Sequence, residues 1–442
     1  MDSRIALGEL CSFHRGASVP RARMHDTGDY RYIHYGDLYK GFDLRIDVEN
    51  PSKQIPFILA DEKIKPNQFL QDQDIIYVLT SETVDDLGHA FLFNNPNGHP
   101  TVSGTETTIV RVERRDVLMP AYLNYVLRSP SFIKLLRQYT RGMKVFRVHP
   151  KDVERIEISI PPLDKQHKVV TLLDAIYAKQ QVNTKLNGYL AQLVSTEFSE
   201  RFGADTPTVE LGEVLSISTK SLKPQEHSGE IWEHYSIPAY DANRRPVFES
   251  ADKIKSSKYV VDTNCILISK LNPSTKRIWM PVCLSDCSVC STEFIVYKPK
   301  ETMHKTFYYA AIDSPAFTDL LLSHVTGSTG SRQRVQPKTT LTFPMPAPGA
   351  KAIDEFCAFA NPIYEKIKVN EIGSKQLEEL RDVLLPKLMS GEIDVSKVDL
   401  TQLNSHLASC GLQVTALALQ LFLLGLFYFL SNRIDHPSPP SQ

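Results

Sequence analysis

A chain of 442 residues, 42% hydrophobic and 23% charged, has the composition of an ordinary globular protein and room for about two to four domains, each with its own core. A net charge of −1 excludes a globally basic binder, so any nucleic-acid surface must be a local patch. Seven cysteines without framework spacing, and an N-terminus (Met1 to Glu9) with no apolar signal region, argue against an exported disulfide scaffold and point to a reducing compartment.

The chain opens on Leu7-Gly8-Glu9 and continues in short alternating stretches rich in β-branched and aromatic residues, such as 74–79 and 107–112. Turn punctuation like Asn94-Asn95-Pro96-Asn97-Gly98 separates them, which predicts short strands. A helix is expected through 122–127, running into Ser129-Pro130. From 117 to 151 there is no Asp or Glu, while Arg128, Lys134, Arg137, Arg141, Lys144, Arg147 and Lys151 are present, interleaved with Tyr139 and Phe146. Such a stretch suits phosphate contact, although a solvated basic face has the same composition. Pro161-Pro162 then ends extended structure, and a long helix begins. Its heptad-like positions are Val169, Leu172, Ile176, Lys179, Asn183, Leu186, Leu190 and Leu193.

A second pass follows. Leu211-Gly212-Glu213 repeats the opening phrase, and strands are expected at 265–268 and 293–297. Cys283, Cys287 and Cys290 invite a zinc reading, but a fourth ligand is missing and the first half has no counterpart, so no metal is expected. A helix through 307–312 runs into Ser314-Pro315, and a Gly/Ser loop from Gly327 to Gly330 leads to Arg332, Arg334 and Lys338. Backbone amides of such a loop, with its cations, can grip phosphate. After Pro346-Ala347-Pro348 a second long helix is expected, with a seam at Phe356, Phe359, Ile363, Lys366, Asn370, Gly373, Leu377, Leu380 and Leu384.

The two passes are one unit written twice. Arg147-Val148-x-Pro150-Lys151 returns as Arg334-Val335-x-Pro337-Lys338, and Tyr177-x-Lys179-x-x-Val182-Asn183 as Tyr364-x-Lys366-x-x-Val369-Asn370, both 187 residues on. The polar seam centre at Asn183 and Asn370, flanked by Ile176, Leu190, Ile363 and Leu377, argues that the helices pair with each other. The alternative is that each lies amphipathically on its own domain. Asn361-Pro362-Ile363-Tyr364 loosely resembles an adenine-methyltransferase loop, but its counterpart, Asp174-Ala175-Ile176-Tyr177, belongs to a helix. There is no Walker A pattern and no nucleophile elbow, so no catalytic residue and no cofactor are assigned.

The Ile160-Pro161-Pro162-Leu163-Asp164-Lys165-Gln166 phrase, and the stretch from Leu377-Glu378-Glu379-Leu380-Arg381-Asp382-Val383-Leu384-Leu385-Pro386-Lys387-Leu388-Met389 to Ser390-Gly391-Glu392-Ile393, resemble the specificity subunit of bacterial type I restriction-modification systems. The resemblance covers residues 1–395. It implies a non-catalytic α+β protein in the cytoplasm, with two repeated DNA-recognition domains separated by two long helices that form an antiparallel coiled-coil spacer. The recognition domains would be 1–162 and 204–349, and the helices 163–203 and 350–395. Implied partners are double-stranded DNA with a split site, two methyltransferase subunits, and restriction subunits. DNA contacts are expected at Arg137, Arg141, Lys144, Arg147 and Lys151, and at Arg332, Arg334 and Lys338. Base reading is expected where the copies differ, as at Lys276-Arg277-Ile278-Trp279 or Arg21-Ala22-Arg23. A helix over 166–201 would span roughly 50 Å, about 15 base-pair steps. The tail, 396–442, departs from the pattern: its uncharged run 412–430 has the bare length for one membrane crossing. The rival reading is therefore a membrane-tethered repeat protein that binds other proteins.

Overall fold

The computed structural model describes residues 3–39, 41–84, 86–203, 205–326, 333–389 and 392–393. The tail and its apolar run lie outside them. Among the described residues no helix is long and apolar enough to cross a membrane. The chain forms two compact units: residues up to 180 together with those described from 375 onward, and residues 181–374. Both long helices, Leu163–Arg201 and Ala350–Met389, contribute a portion to each unit.

In the first unit a five-stranded sheet runs in the order Cys11–Arg15, Thr107–Val112, Ile75–Val78, His89–Asn94, Arg45–Asp47. Its central strand is buried on both faces, and the two-residue period of a strand divides its side chains. Ile75 and Tyr77 meet helices Pro120–Arg128 and Pro130–Arg137, while Ile76 and Val78 meet Ile33, Ile46 and Phe93. Val169, Leu172, Leu173 and Ile176 of the first long helix join the first of these cores, with Leu377, Leu384, Leu385 and Leu388 of the second.

The second unit repeats the plan. A four-stranded sheet has the order Leu215–Ser218, Phe294–Pro299, Ile266–Ser269, Ile278–Trp279. Ile266, Ile268, Ile295 and Tyr297 face helices Lys305–Ile312 and Pro315–Ser323. The same core takes in Val194, Phe198 and Phe202, then Phe356 and Ala360. Phe198 lies 5.3 Å from Phe307 and 5.5 Å from Phe356, edge to face in the second case. Burying such a ring contributes on the order of 1.5–3 kcal/mol, so this cluster fastens the long helices to the sheet domain of the unit.

The repeated phrases have structural causes. The amide of Leu7 donates to the carbonyl of Ile156 at 3.0 Å, and that of Leu211 to Phe343 at 2.9 Å. A Cβ on Gly8 would stand 3.2 Å from the carbonyl oxygen of Glu154, and one on Gly212 3.2 Å from Leu341 Cβ. The opening of each repeat therefore docks tightly on the segment after its basic phrase. Each Ser-Pro is a helix start: Ser129 and Ser314 hydroxyls accept from the amides of Phe132 and Phe317, and proline occupies the first turn.

The helix seam differs in detail from its sequence expectation. Within the second unit Asn183 Nδ2 donates to Asn370 O at 3.3 Å and to Ser374 Oγ at 3.0 Å. Asn370 Nδ2 donates to Asn187 Oδ1 at 2.7 Å, and Asn187 Nδ2 to Ile367 O at 3.3 Å. Partners descend along one helix as positions ascend along the other, so the pair is antiparallel. Ile176 and Leu377 are fully buried, Asn183 and Asn370 nearly so, and Leu190 and Ile363 half-buried. Leu186 and Leu193 face outward, 36% and 49% exposed; Asn187 and the fully buried Val194 take the inner places. Hydropathy favoured the leucines, but the alternating 3- and 4-residue steps that follow Ile176 and Asn183 select the residue one position later. As a result Val182, Leu186, Tyr189 and Leu193, spaced 4, 3 and 4, form an exposed stripe along the helix. Asn361 is likewise helical, its Oδ1 accepting from the Thr306 hydroxyl at 2.7 Å.

Candidate nucleic-acid interface

In each unit the repeated basic phrase is a short strand followed by a helical turn. Phe146–Arg147 pairs with Thr80–Ser81, and the Val148 amide donates to Leu79 O at 2.9 Å. Arg334–Val335 pairs with Val325–Thr326, and the Val335 amide donates to Lys270 O at 3.0 Å. Strand alternation buries both valines and turns both arginines outward. The prolines then open short helical turns, Pro150–Glu154 and Pro337–Thr342, whose second residues, Lys151 and Lys338, are exposed. Four expected contact residues thus sit at matching places, on backbone that buried valines hold fixed.

Just before Arg147 the chain makes a closed hairpin. Arg141 N donates to Arg147 O at 2.9 Å and Arg147 N to Arg141 O at 2.8 Å. Lys144 is exposed at the tip, and Arg137 is exposed in the last turn of the preceding helix. Gly142 has φ +114°, and a Cβ there would lie 2.1 Å from the carbonyl oxygen of Val145, so no other residue fits without moving the tip.

The basic residues have acidic neighbours that the linear sequence hides. Arg141 lies 3.2 Å from Asp152, and Arg147 3.6 Å from Glu106. Arg334 holds Glu293 with two 3.1 Å bonds, and this pairing raises its already high pKa. Solvent screens exposed pairs of this kind and leaves them weak, so a phosphate can replace the carboxylate at little cost. The pairing preorients each arginine. Arg332 lies outside the described residues.

Other cations are committed to the fold. Arg128 donates to Ala90 O at 2.8 Å, with its guanidinium 5.9 Å from the Phe91 ring centre. The segment expected to read bases, Lys276-Arg277-Ile278-Trp279, is also engaged internally. Arg277 is 8% exposed and forks onto Asp241 at 2.6 and 2.9 Å. Ile278 and Trp279 are buried, and Lys276 pairs with Asp313 at 2.6 Å. Asp241 and Asp313, distant in sequence, make the difference. Arg21 and Arg23 are exposed, Arg23 paired with Asp61 at 2.9 Å.

Of the three clustered cysteines, Cys290 lies in the strand Ser288–Cys290, and Cys283 and Cys287 lie before it. Cys290 lies opposite Tyr235 and Tyr259, and burial pushes the Cys283 thiol up to about 11 and that of Cys290 higher. These shifts favour the protonated thiol over the metal-binding thiolate. Among the described residues no group of three His, Cys, Asp or Glu side chains could hold a metal.

Comparison with known proteins agrees with this organisation. The family model described as type I restriction modification DNA specificity domain matches residues 4–191. The specificity subunit of the type I restriction enzyme MjaIX of Methanocaldococcus jannaschii is 20% identical over 317 residues, covering 64% of this chain and 71% of that protein. The crystal structure of a type I restriction-modification system S subunit from M. genitalium has the same fold, with a TM-score of 0.51 at 13% identity over 87% of this chain and 95% of the other. Residues 4–191 therefore match the type I restriction-modification specificity domain, and the chain as a whole is similar to specificity subunits of that kind.

Proposed function

We propose that this non-catalytic DNA-recognition subunit reads a bipartite target. Each recognition domain, 1–162 and 204–349, takes one half-site, and the paired long helices set the gap. The observation that carries this reading is the recurrence, in both units, of one outward-facing arginine–lysine frame on a buried valine: Arg147 and Lys151, then Arg334 and Lys338. Because the frame is shared, it suits phosphate, which is the same in every sequence. Arg137, Arg141 and Lys144 extend the grip in the first domain, and Arg332 is assigned to it in the second. Methylation and cleavage are performed by partner subunits on cytoplasmic DNA.

The stripe of Val182, Leu186, Tyr189 and Leu193 supports docking of a methyltransferase subunit. Four apolar side chains held in water on a helix already paired on its other side suit a partner helix or sheet face. Affinity purification of the full-length chain from its host tests the reading. Co-purification of a methyltransferase and a large motor-nuclease subunit is the expected result; recovery with membrane proteins alone contradicts it.

A further inference from the structure

The hairpin that Arg141 and Arg147 close carries an apolar tip. Met143 is 95% exposed, the highest value among the exposed large hydrophobic residues of the described chain, and Val145 beside it is also exposed. Its setting is basic, with Arg141, Lys144 and Arg147 within four positions and no acidic residue between 117 and 151. The tip is not a loose loop. Two backbone hydrogen bonds close its base, Gly142 fixes its turn, and Phe146 packs against the core of the first unit. An unbranched thioether on a rigid, positively charged projection has no internal purpose in the fold. In the second repeat Val325–Thr326 and Arg334–Val335 again make a paired frame, but the position 187 residues beyond Met143 is Gly330 in sequence.

We infer that Met143 is a wedge that enters DNA at a base step in the half-site read by the first domain, while Arg141, Lys144 and Arg147 hold the flanking phosphates. The inference rests on the DNA-recognition reading above and deepens it. Apolar wedges of this kind partly unstack a step and kink the duplex, and pyrimidine–purine steps resist this least. Met143 would then select sequence through deformability, without a hydrogen bond to a base. Only one half-site is read in this way, because glycine stands at the matching place in the other copy.

Selection from a random-sequence duplex library by the full-length chain tests this. The wild type is expected to enrich a pyrimidine–purine step at a fixed place in one half-site, preferred about tenfold over stiff steps. Thymines at that step should become reactive to permanganate in the complex. Met143→Ala, at a fully exposed position, should fold normally and keep the rest of the motif, yet lose both the step preference and the permanganate signal. Met143→Leu should retain them. A Met143→Ala motif identical to the wild type, or an equal loss of affinity for all sequences, overturns the wedge. If the wild type enriches a motif, the recognition reading stands whatever Met143 does; if it enriches none, that reading fails and the wedge with it.

Discussion

The side-chain amide of Asn183 donates to the backbone carbonyl of Asn370, the same position of the repeat 187 residues later. The surrounding bonds are reciprocal. Asn183 reaches Ser374 and Asn370 reaches Asn187, and Asn187 and Ser374 are themselves counterparts. The same reciprocity holds for the apolar contacts. Residues 169–176 pack with 377–388 in the first unit, and their counterparts from 356 to 363 pack with 194–202 in the second. The seam is self-complementary in the way that isologous interfaces are.

Asn370→Ala should therefore cost about 1–3 kcal/mol, because it leaves the Asn187 carbonyl oxygen without its donor in a largely buried place. Asn187→Ala in that background should add less than it costs alone. Urea unfolding of the four proteins in a double-mutant cycle measures the coupling; strict additivity would show that the network is not shared.

Arg147→Ala and Arg334→Ala should each weaken binding to every duplex tested and reduce the slope of log affinity against log salt by about one. The readout is anisotropy titration over a salt series. A loss confined to one base position would assign these residues to base reading instead.

Part of this site was legible in the sequence, and part was not. The phrase Arg-Val-x-Pro-Lys could be recognised as a shared frame because its pattern is local: a strand residue facing out, one facing in, and a proline opening a turn. Its acidic partners could not, since Glu106 and Glu293 come from turns distant in sequence. The ion pairs that engage Lys276 and Arg277 were hidden for the same reason, with Asp313 and Asp241 supplied by the tertiary fold. Composition along the helix gave its existence and its polar centre. The register between Leu186 and Asn187 is set by which neighbour each can reach on the opposite helix, and hydropathy does not encode that.

Leu186→Asp combined with Leu193→Asp should abolish co-purification of the methyltransferase subunit, since a charged pair replaces the middle and end of the apolar stripe. Both positions are exposed, so the melting temperature should change by no more than about 2 °C. Retained co-purification would remove this face as the docking surface.

Burial pushes the Glu371 carboxyl on the second long helix up to about 7, against the lowering influence of Arg245. Its folded pKa is raised above the ordinary 4.5, so its contribution is fully present below pH 4.5 and is lost as pH rises through 7. Glu371→Gln should stabilise the protein by about 1–2 kcal/mol at pH 8 and have little effect at pH 4. Thermal melts across that range measure it. An equal effect at both ends would show that ionisation is not the cause.

The central claim, two readers held at a gap fixed by the paired helices, is tested most directly by mapping methylated bases in cells that carry the chain with its methyltransferase. The wild type should yield a split motif with one fixed gap. Deleting seven residues from facing segments of each long helix should keep both half-sites and shorten the gap by about 3 base pairs, since seven residues span about 10 Å. A continuous motif, or a gap that does not change with the deletion, would contradict the account.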